Sequence, residues 1–261
     1  MDRFVRSLTL PKKDSRKGDN GRLLIIGGSR RYHGAPVFSL LAARRFVDLL
    51  YFYPAEKDPY LLKAVKRIPE AIVVDSYSSP AIRGKIDCVL YGIGLADARP
   101  ALPKMKDAQL VIDGDGLKRV SGKIPEGAVL TPHENEFRML FGIGGSERNV
   151  LAMAKRHGCV ILKKGPVDII ADGRTAKEGG AGNGKLETNM MHNQGMTKGG
   201  TGDVLAGLVA ALACKNDAFI AAVAGARING HAGDMLKKRY GYNYCASDLA
   251  EALAQSYADL V

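Results

Sequence analysis

The sequence has no tryptophan, and aromatic residues make up only 7% of its 261 positions. It has few cysteines, Cys88, Cys159, Cys214 and Cys245, which form no CxxC pair. A zinc site or disulfide framework is therefore not expected, and each cysteine is predicted to be a small buried side chain. The longest apolar run, residues 204–214, is too short to cross a bilayer. The N-terminal segment also lacks the apolar stretch of a signal peptide. We expect a soluble, cytoplasmic protein with no membrane association.

Acidic residues are outnumbered by basic ones, and the formal net charge is +11. A charge of this size suggests polyanionic partners. The basic residues are scattered, with small groups such as Arg30-Arg31 and Lys163-Lys164. No basic stripe interleaved with aromatic residues occurs, so nucleic acid is not expected as a partner. The charge favours small molecules that carry phosphate.

Short apolar runs alternate with segments of helical period along most of the chain. Buried strands are predicted at residues 23–26, 49–53, 71–74, 86–90, 109–112 and 160–162, and helices at 35–47 and 146–157. Glycine-bounded β-like pieces at 167–171, 175–177 and 185–188 predict hairpins, with a turn at 179–184. Residues 204–214, 218–237 and 247–260 are predicted to be helices. The pattern predicts one domain over residues 1–261, a three-layer α/β/α sandwich whose mostly parallel sheet has antiparallel hairpins at one end.

The strongest chemical signal is the segment MTKGGTGDVLAGLVAAL at residues 196–212. Its glycines let the backbone turn tightly beside a ligand. The helix after them directs free N–H groups and its positive dipole end at the loop, which predicts a phosphate site. Asp203 then has two interpretations that the residues alone leave open. It is either the N-cap of the helix or a base that accepts the proton of a substrate hydroxyl during phosphoryl transfer.

Motifs between Lys17 and Gly233 resemble, in order and spacing, those of the NAD(P)H-hydrate dehydratases, a family with a ribokinase-like fold. They are Lys17-Gly18-Asp19-Asn20-Gly21 followed by LLIIGGS and Gly34-Ala35-Pro36, then Gly92-Ile93-Gly94-Leu95, VIDGDGL, LTPHENEF, Lys164-Gly165 before Asp168, and the Gly-x-Gly-Asp of the glycine loop. Vitamin-precursor kinases of this fold have Asn after Thr-Pro, whereas the dehydratases have His, as at His133. The resemblance favours Asp203 as the base.

The resemblance also implies roles for residues at matching positions. Contacts to the hydrated dinucleotide match Ala35, Gly94, His133 and Asp203. Nucleotide-binding positions match Lys164, Gly165, Pro166, Val167 and Asp168, together with Gly199, Gly200, Thr201 and Gly202 of the glycine loop. Without the resemblance, His133 could simply begin a helix, and Lys164 could be a solvated charge at a strand end.

Three further positions carry weaker implications. Glu136 matches an acidic residue that helps to arrange Mg²⁺ through water, although alone it would be a helix-surface carboxylate. Asp113 and Asp115 follow a predicted strand and either orient substrate or water or form a turn. The chain departs from the family pattern at Met191-His192, where the family has Thr-Gly, and this should change a wall of the nucleotide or substrate site.

The reaction that the resemblance implies is the nucleotide-dependent dehydration of hydrated NADH and NADPH, called NADHX and NADPHX. ADP or ATP would phosphorylate the C6 hydroxyl, and the ring nitrogen would then expel phosphate. A NADHX epimerase would be a separate chain of the same pathway, and homo-oligomerisation is left open. The main alternative is a ribokinase-like kinase of a vitamin precursor or sugar, and the next is a nucleotide-binding regulator without activity. His133 argues against the first, and Asp203 beside intact glycines argues against the second.

Overall fold

A nine-stranded sheet organises the part of the chain that the computed structural model describes, residues 1–78, 82, 85–105, 107–174 and 184–261. The strands are β1 (Arg22–Gly27), β2 (Leu49–Pro54), β3 (Ala71–Val73), β4 (Cys88–Ile93), β5 (Gln109–Ile112), β6 (Val129–Leu130), β7 (Val160–Lys163), β8 (Asp168–Asp172) and β9 (Lys185–Asn189). Their order in the sheet is β3-β2-β1-β4-β5-β6-β7-β8-β9. Strands β1 to β7 are parallel, and β8 is antiparallel to both of its neighbours. The predicted sheet, with antiparallel hairpins at one end, is confirmed.

Helices cover both faces of this sheet. They are α1 (Arg3–Arg6), α2 (Gly34–Ala43), α3 (Pro59–Val65), α4 (Asp115–Val120), α5 (Glu134–Phe141), α6 (Glu147–His157), α7 (Thr201–Ala213), α8 (Ala218–Tyr240) and α9 (Ala246–Leu260), with a 3₁₀ turn at Gln194–Thr197. Because successive strand residues face opposite sides, Leu23 and Ile25 join the core beneath α2, α7, α8 and α9. Leu24 and Ile26 join the core beneath α4, α5 and α6. Within the described ranges, no helix is long and apolar enough to cross a membrane.

Helix α7 is buried on nearly all sides, as its apolar sequence requires. Gly207 allows α7 to approach α2 closely, because a Cβ there would lie 2.4 Å from Ser39 O. Ser39 Oγ also donates a hydrogen bond to Asp203 O (2.7 Å). These contacts fix the first turn of α7 against α2 and the carboxyl edge of the sheet.

Several boundaries differ from those predicted. The helix predicted over 35–47 ends at Ala43, and the strand predicted over 86–90 runs from Cys88 to Ile93. The two-residue strand β6 was not predicted, because so short a run carries no readable alternation. Cys245 is exposed at the start of α9, so its predicted burial is wrong. The β-piece predicted at 175–177, and the glycine turn up to residue 183, lie outside the described residues.

Candidate active site

Asp203 lies in the first turn of α7 and does not cap it. The N-cap is Gly200, whose φ of +95° favours glycine. A Cβ at Gly200 would also lie 2.5 Å from the Phe38 ring. In the described structure no group donates a hydrogen bond to the Asp203 carboxylate, so the capping interpretation is not what the structure has. The carboxylate stands beside a helix N-terminus whose first amides have no acceptor within the helix.

Three carboxylates surround one lysine at this edge of the sheet. Lys164 Nζ donates to Asp113 Oδ1 across 2.7 Å, and both side chains are largely buried. Burial by itself lowers the pKa of Lys164, but the negative charges of Asp113, Glu136 and Asp203 raise it above its ordinary value. Lys164 therefore stays charged and compensates a buried acidic cluster. The alternative interpretation of Lys164, a solvated charge at a strand end, is therefore not what the structure has.

The environment of Asp203 suits proton transfer near neutral pH. Burial raises its pKa to about 7, with contributions from the negative charges of Asp113 and Glu136, and Lys164 only partly offsets them. Burial likewise raises the pKa of Glu136, again with Lys164 opposing. A carboxylate with a pKa close to the working pH is an efficient general base. The cluster can therefore take up a proton from a bound hydroxyl.

His133 begins helix α5 through a capping box. Its Nδ1 accepts from the amides of Asn135 (3.1 Å) and Glu136 (3.3 Å), and Glu136 Oε2 accepts from His133 N (2.8 Å). The helix-start interpretation is thus confirmed, and it is compatible with ligand binding. The cap uses only Nδ1, and the side chain is 54% exposed. Since Nδ1 accepts, the proton of the neutral ring belongs on Nε2. Nε2 lies 3.6 Å from Glu136 Oε2, beyond hydrogen-bond distance, so this donor stays available to a ligand.

Ala35 and Gly94, distant in sequence, meet at the ends of β1 and β4. Gly94 has a φ of +59°, and a Cβ there would lie 2.9 Å from both Ala35 Cβ and Tyr32 O. Only glycine leaves this approach open. Two of the predicted substrate residues therefore belong to one surface.

The segment from Lys164 to Asp168 is a tight loop braced from inside. Gly165 N donates to Asp168 Oδ1 (3.1 Å), and Asn189 Nδ2 donates to Asp168 Oδ2 (3.0 Å). Asn189 Nδ2 also donates to Ala226 O on α8 (3.0 Å). The Asp168 carboxylate is thus used to shape the loop, while Val167 remains exposed at its surface. Burial raises the pKa of Asp168, and the bonds from Asn189 and Gly165 counteract it.

The glycine loop is held by the side chain of Thr201. Its Oγ1 lies 2.7 Å from Met196 O and 2.8 Å from Lys198 O, so the hydroxyl is occupied within the protein. Gly199 has open space around it, and a Cβ at Gly202 would lie 3.4 Å from Lys164 Nζ. Lys164 therefore joins the nucleotide-matching loop to the start of α7. Backbone amides are what this loop can offer a phosphate group.

Sequence reasoning missed two asparagines that support the site. Asn189 connects Asp168 to α8, as described above. Asn193 Oδ1 accepts from Gly195 N (3.0 Å) and Tyr244 Oη (2.6 Å), and its Nδ2 donates to Asp234 (3.0 Å). Both lie close to Met191-His192, one on each side of the pair at which the chain departs from the family pattern, and that position was the available signal. Met191 packs on Gly230, where a Cβ would lie 2.1 Å from Met191 O.

Asp115 has a structural role. Its Oδ2 accepts from Ala96 N (3.0 Å), and Lys118 Nζ donates to its Oδ1 (2.8 Å). Asp113, in contrast, faces Lys164. The turn-forming interpretation therefore describes Asp115, which shapes a loop. Asp113 instead belongs to the charged cluster around Lys164.

Comparison with known proteins decides the family. Residues 23–255 match the family model described as NAD(P)H-hydrate dehydratase. The chain belongs to this family. It is 34% identical to the ADP-dependent (S)-NAD(P)H-hydrate dehydratase of Cenarchaeum symbiosum, over 93% of this chain and 90% of that protein. It is 35% identical to the enzyme of the same name from Nitrosopumilus maritimus, over 91% and 88%. It is 36% identical to the bifunctional NAD(P)H-hydrate repair enzyme of Methanocaldococcus jannaschii. That match covers 95% of this chain but only half of the length of the M. jannaschii protein.

Solved structures confirm the ribokinase-like fold. A ribokinase-like superfamily protein of Enterococcus faecalis superposes with a TM-score of 0.82 at 24% identity, covering 99% of this chain and 94% of that one. The Bacillus subtilis ADP/ATP-dependent NAD(P)H-hydrate dehydratase, co-crystallised with ATP/Mg²⁺ and soaked with CoA, gives 0.77 at 21% identity, covering 98% and 96%. The family assignment does not favour the alternative of a vitamin-precursor or sugar kinase.

Proposed function

We propose that this member of the NAD(P)H-hydrate dehydratase family dehydrates NADHX and NADPHX to NADH and NADPH with consumption of a nucleotide. The single observation that carries the proposal is the placement of Asp203. Its largely buried carboxylate stands at the first turn of α7, next to the glycine loop, and belongs to the acidic cluster that the Asp113–Lys164 ion pair completes. A base beside a phosphate-binding helix end is the arrangement that phosphorylation of a hydroxyl requires.

In the proposed reaction, Asp203 takes the proton of the C6 hydroxyl as its oxygen attacks the terminal phosphorus of the donor. The bond from that phosphorus to the bridging oxygen breaks, and the shortened nucleotide leaves. The ring nitrogen then donates its lone pair, the C6–O bond breaks with release of phosphate, and loss of a C5 proton restores the dihydronicotinamide. The net change removes the elements of water from the hydrate: its hydroxyl oxygen ends in the released phosphate, and its two hydrogens leave as protons.

On the nucleotide side, the loop from Lys164 to Asp168 and the amides of Gly199 to Gly202 would hold the donor. The braces described above support this role, because they fix the loop's backbone while leaving Pro166 and Val167 exposed. On the substrate side, Ala35, Gly94 and His133 would hold the hydrated ring near Asp203. His133 Nε2 would supply a hydrogen bond.

Mg²⁺ would bind at this site together with the donor's phosphates. Within the described residues, no group of three or more His, Cys, Asp or Glu side chains is arranged to hold a metal directly. The cluster therefore fits Mg²⁺ only as an ion that keeps water ligands and uses few carboxylates, which is its usual behaviour beside phosphates. Glu136 would hold it through water. The ion would neutralise charge on the transferring phosphoryl group.

We further propose ADP as the donor, which would leave AMP, because the two relatives covered almost completely are named ADP-dependent. The bifunctional repair enzymes among the relatives support an epimerase acting in the same pathway. A cytoplasmic location and a homo-oligomeric state complete the proposal.

The test is recovery of dihydronicotinamide absorbance from acid-hydrated NADH and NADPH, with purified protein, Mg²⁺, and ADP or ATP in parallel. We expect recovery with stoichiometric release of AMP and phosphate when ADP is supplied. Omission of nucleotide is the matched control. No recovery with either donor would overturn the function, and a stable phosphorylated product would instead establish a kinase.

A further inference from the structure

A pocket adjoins the candidate active site on the side away from the nucleotide loop. It has a volume of about 620 Å³, within the usual range for small-molecule sites. The loops that follow β1, β2 and β4 form its walls. Its lining residues include Arg30, Arg31, Glu56, Ala96, Asp97 and Ala98.

The pocket is continuous with the surface that carries Ala35 and Gly94. Tyr32 follows Arg31, and its carbonyl oxygen and Cβ lie 2.9 and 3.0 Å from the position of a Cβ on Gly94. Ala96 lies two residues after Gly94 and also lines the pocket. A ligand that extends from the substrate surface toward β2 would enter this pocket.

Sheet order sets the direction in which a dinucleotide can extend. The predicted nucleotide loop follows β7, and the predicted substrate residues follow β1, β4 and β6. The donor would therefore occupy the β7 side. The half of the dinucleotide that does not react would extend toward the other side, where β1 and β2 end.

Hydrogen bonds preform the pocket's loops. Arg30 N donates to Glu56 Oε2 (3.0 Å), and Tyr32 N donates to Ser29 Oγ (3.2 Å). Ala96 has a φ of +50°, an uncommon conformation for a residue with a side chain. The bond from Ala96 N to Asp115 Oδ2 (3.0 Å) holds it there. Strain of this kind persists only where the surroundings impose it, and it is concentrated at ligand sites.

The guanidinium groups of the two arginines are available to bind a phosphate. Both side chains are exposed, and neither forms an ion pair with any carboxylate in the described ranges. Arg31 lies over the Tyr32 ring, 5.4 Å from its centroid, which orients it without neutralising it. Guanidinium groups bind phosphate oxygens in pairs of parallel hydrogen bonds.

We propose that this pocket binds a phosphate group in the adenosine half of the hydrated dinucleotide, through Arg30 and Arg31. The inference rests on the proposed function and assigns the pocket to the same substrate. The phosphate has two sources, the 2′-phosphate that only NADPHX carries and the diphosphate bridge that both hydrates carry.

The experiment measures KM and kcat for NADHX and NADPHX at saturating ADP, for wild type, Arg30→Gln, Arg31→Gln and the double variant. We expect the double variant to raise KM for NADPHX about 5- to 50-fold, with kcat within about twofold and ADP affinity unchanged. A rise for NADPHX alone assigns the 2′-phosphate, and an equal rise for both hydrates assigns the diphosphate bridge.

Arg148→Gln is the matched control, because Arg148 is an exposed arginine on α6 outside the pocket. Ala98→Glu adds a negative charge to the pocket wall and should raise the same KM without removing either arginine. Thermal midpoints establish that the variants are folded. KM values for both hydrates within twofold of wild type in the double variant would overturn the proposal while leaving the dehydratase function intact. Absence of dehydration by wild-type protein would instead be a failure of the proposed function.

Discussion

At the amino ends of the strands, the segment before β1 and the loop before β2 enclose a cavity of about 780 Å³, whereas the candidate active site lies at the carboxyl ends. Both regions contain aspartates. Asp48, in the cavity, accepts hydrogen bonds from Gly18 N (2.9 Å) and Asn20 N (3.1 Å). The Asp203 carboxylate receives no hydrogen bond from the residues described around it.

The contrast appears in the pKa of each carboxyl. Burial tends to raise the pKa of Asp48, but hydrogen bonds from Asn20 and Gly18 bring it below its ordinary value. Burial and neighbouring carboxylates raise the pKa of Asp203 to about 7. The cavity at the amino ends therefore holds an aspartate whose carboxylate is hydrogen-bonded by its own chain, and the carboxyl edge holds one whose carboxylate is not. The raised pKa of Asp203 marks the carboxyl edge as the chemically reactive end.

The largest expected effect is on kcat, which should fall when Asp203 is replaced by Asn but not when Asp48 is. Asp203→Asn should lower kcat about 10²- to 10⁴-fold, because an amide cannot accept a proton at neutral pH. ADP affinity should stay the same or rise, since a negative charge near the phosphates is removed. Turnover, ADP affinity and the thermal midpoint are to be measured on one preparation.

Asp48→Asn is the matched control and should leave kcat unchanged while lowering the thermal midpoint. Retained turnover in Asp203→Asn would require another base.

The sequence predicts the two ends of the sheet unequally well. Helix α7 and strands such as β1 are apolar runs whose periodicity or length is readable in isolation. The ion pair of Lys164 with Asp113 joins residues 51 positions apart, and the short strand β6 lies between β5 and β7 and pairs with both. Such pairings arise from packing and are absent from any local pattern.

The same limit applies within the candidate site. The glycine loop was recognisable, but the N-cap proved to be Gly200 and helix α7 begins three residues earlier than its apolar run. A left-handed glycine can start a helix where local propensity is poor. His133 combined two interpretations that the sequence presented as alternatives, because the two ring nitrogens can serve different partners.

A smaller effect is expected when the imidazole of His133 is removed and its cap retained. Asn is among the best N-cap residues, so His133→Asn should preserve the start of α5 while losing the Nε2 donor. We expect KM for the hydrated dinucleotide to rise roughly 3- to 30-fold, as for loss of one hydrogen bond in a binding site. ADP affinity should change by less than about twofold. Calorimetry with ADP and steady-state kinetics measure the two quantities. Equal losses of both would place His133 outside the substrate side.

The smallest expected effect is on the free energy of unfolding at pH 8. Asp203→Asn, at the carboxyl ends of the strands, should raise it, and Asp48→Asn, at the amino ends, should lower it. The folded-state pKa of Asp203, about 7, lies above its ordinary value of 3.8. Between about pH 4 and pH 7 the unfolded chain therefore loses this proton before the folded protein does, and ionisation of Asp203 costs folding stability. Asp203→Asn removes that cost. We expect it to match wild type near pH 4 and to gain on the order of 1–2 kcal/mol at pH 8, after allowance for partial solvent access.

Asp48 should behave in the reverse way, because its folded pKa is lowered. It contributes stability above its unfolded pKa and loses it as pH falls through the folded value. Asp48→Asn should thus be less stable than wild type at pH 8, with the difference shrinking in acid. Denaturant unfolding at pH 4 and pH 8 measures both variants against wild type. If Asp203→Asn destabilised the protein at pH 8, the carboxylate would be making a stabilising contact. The site would then resemble the amino-end cavity, and the contrast between the two ends of the sheet would fail.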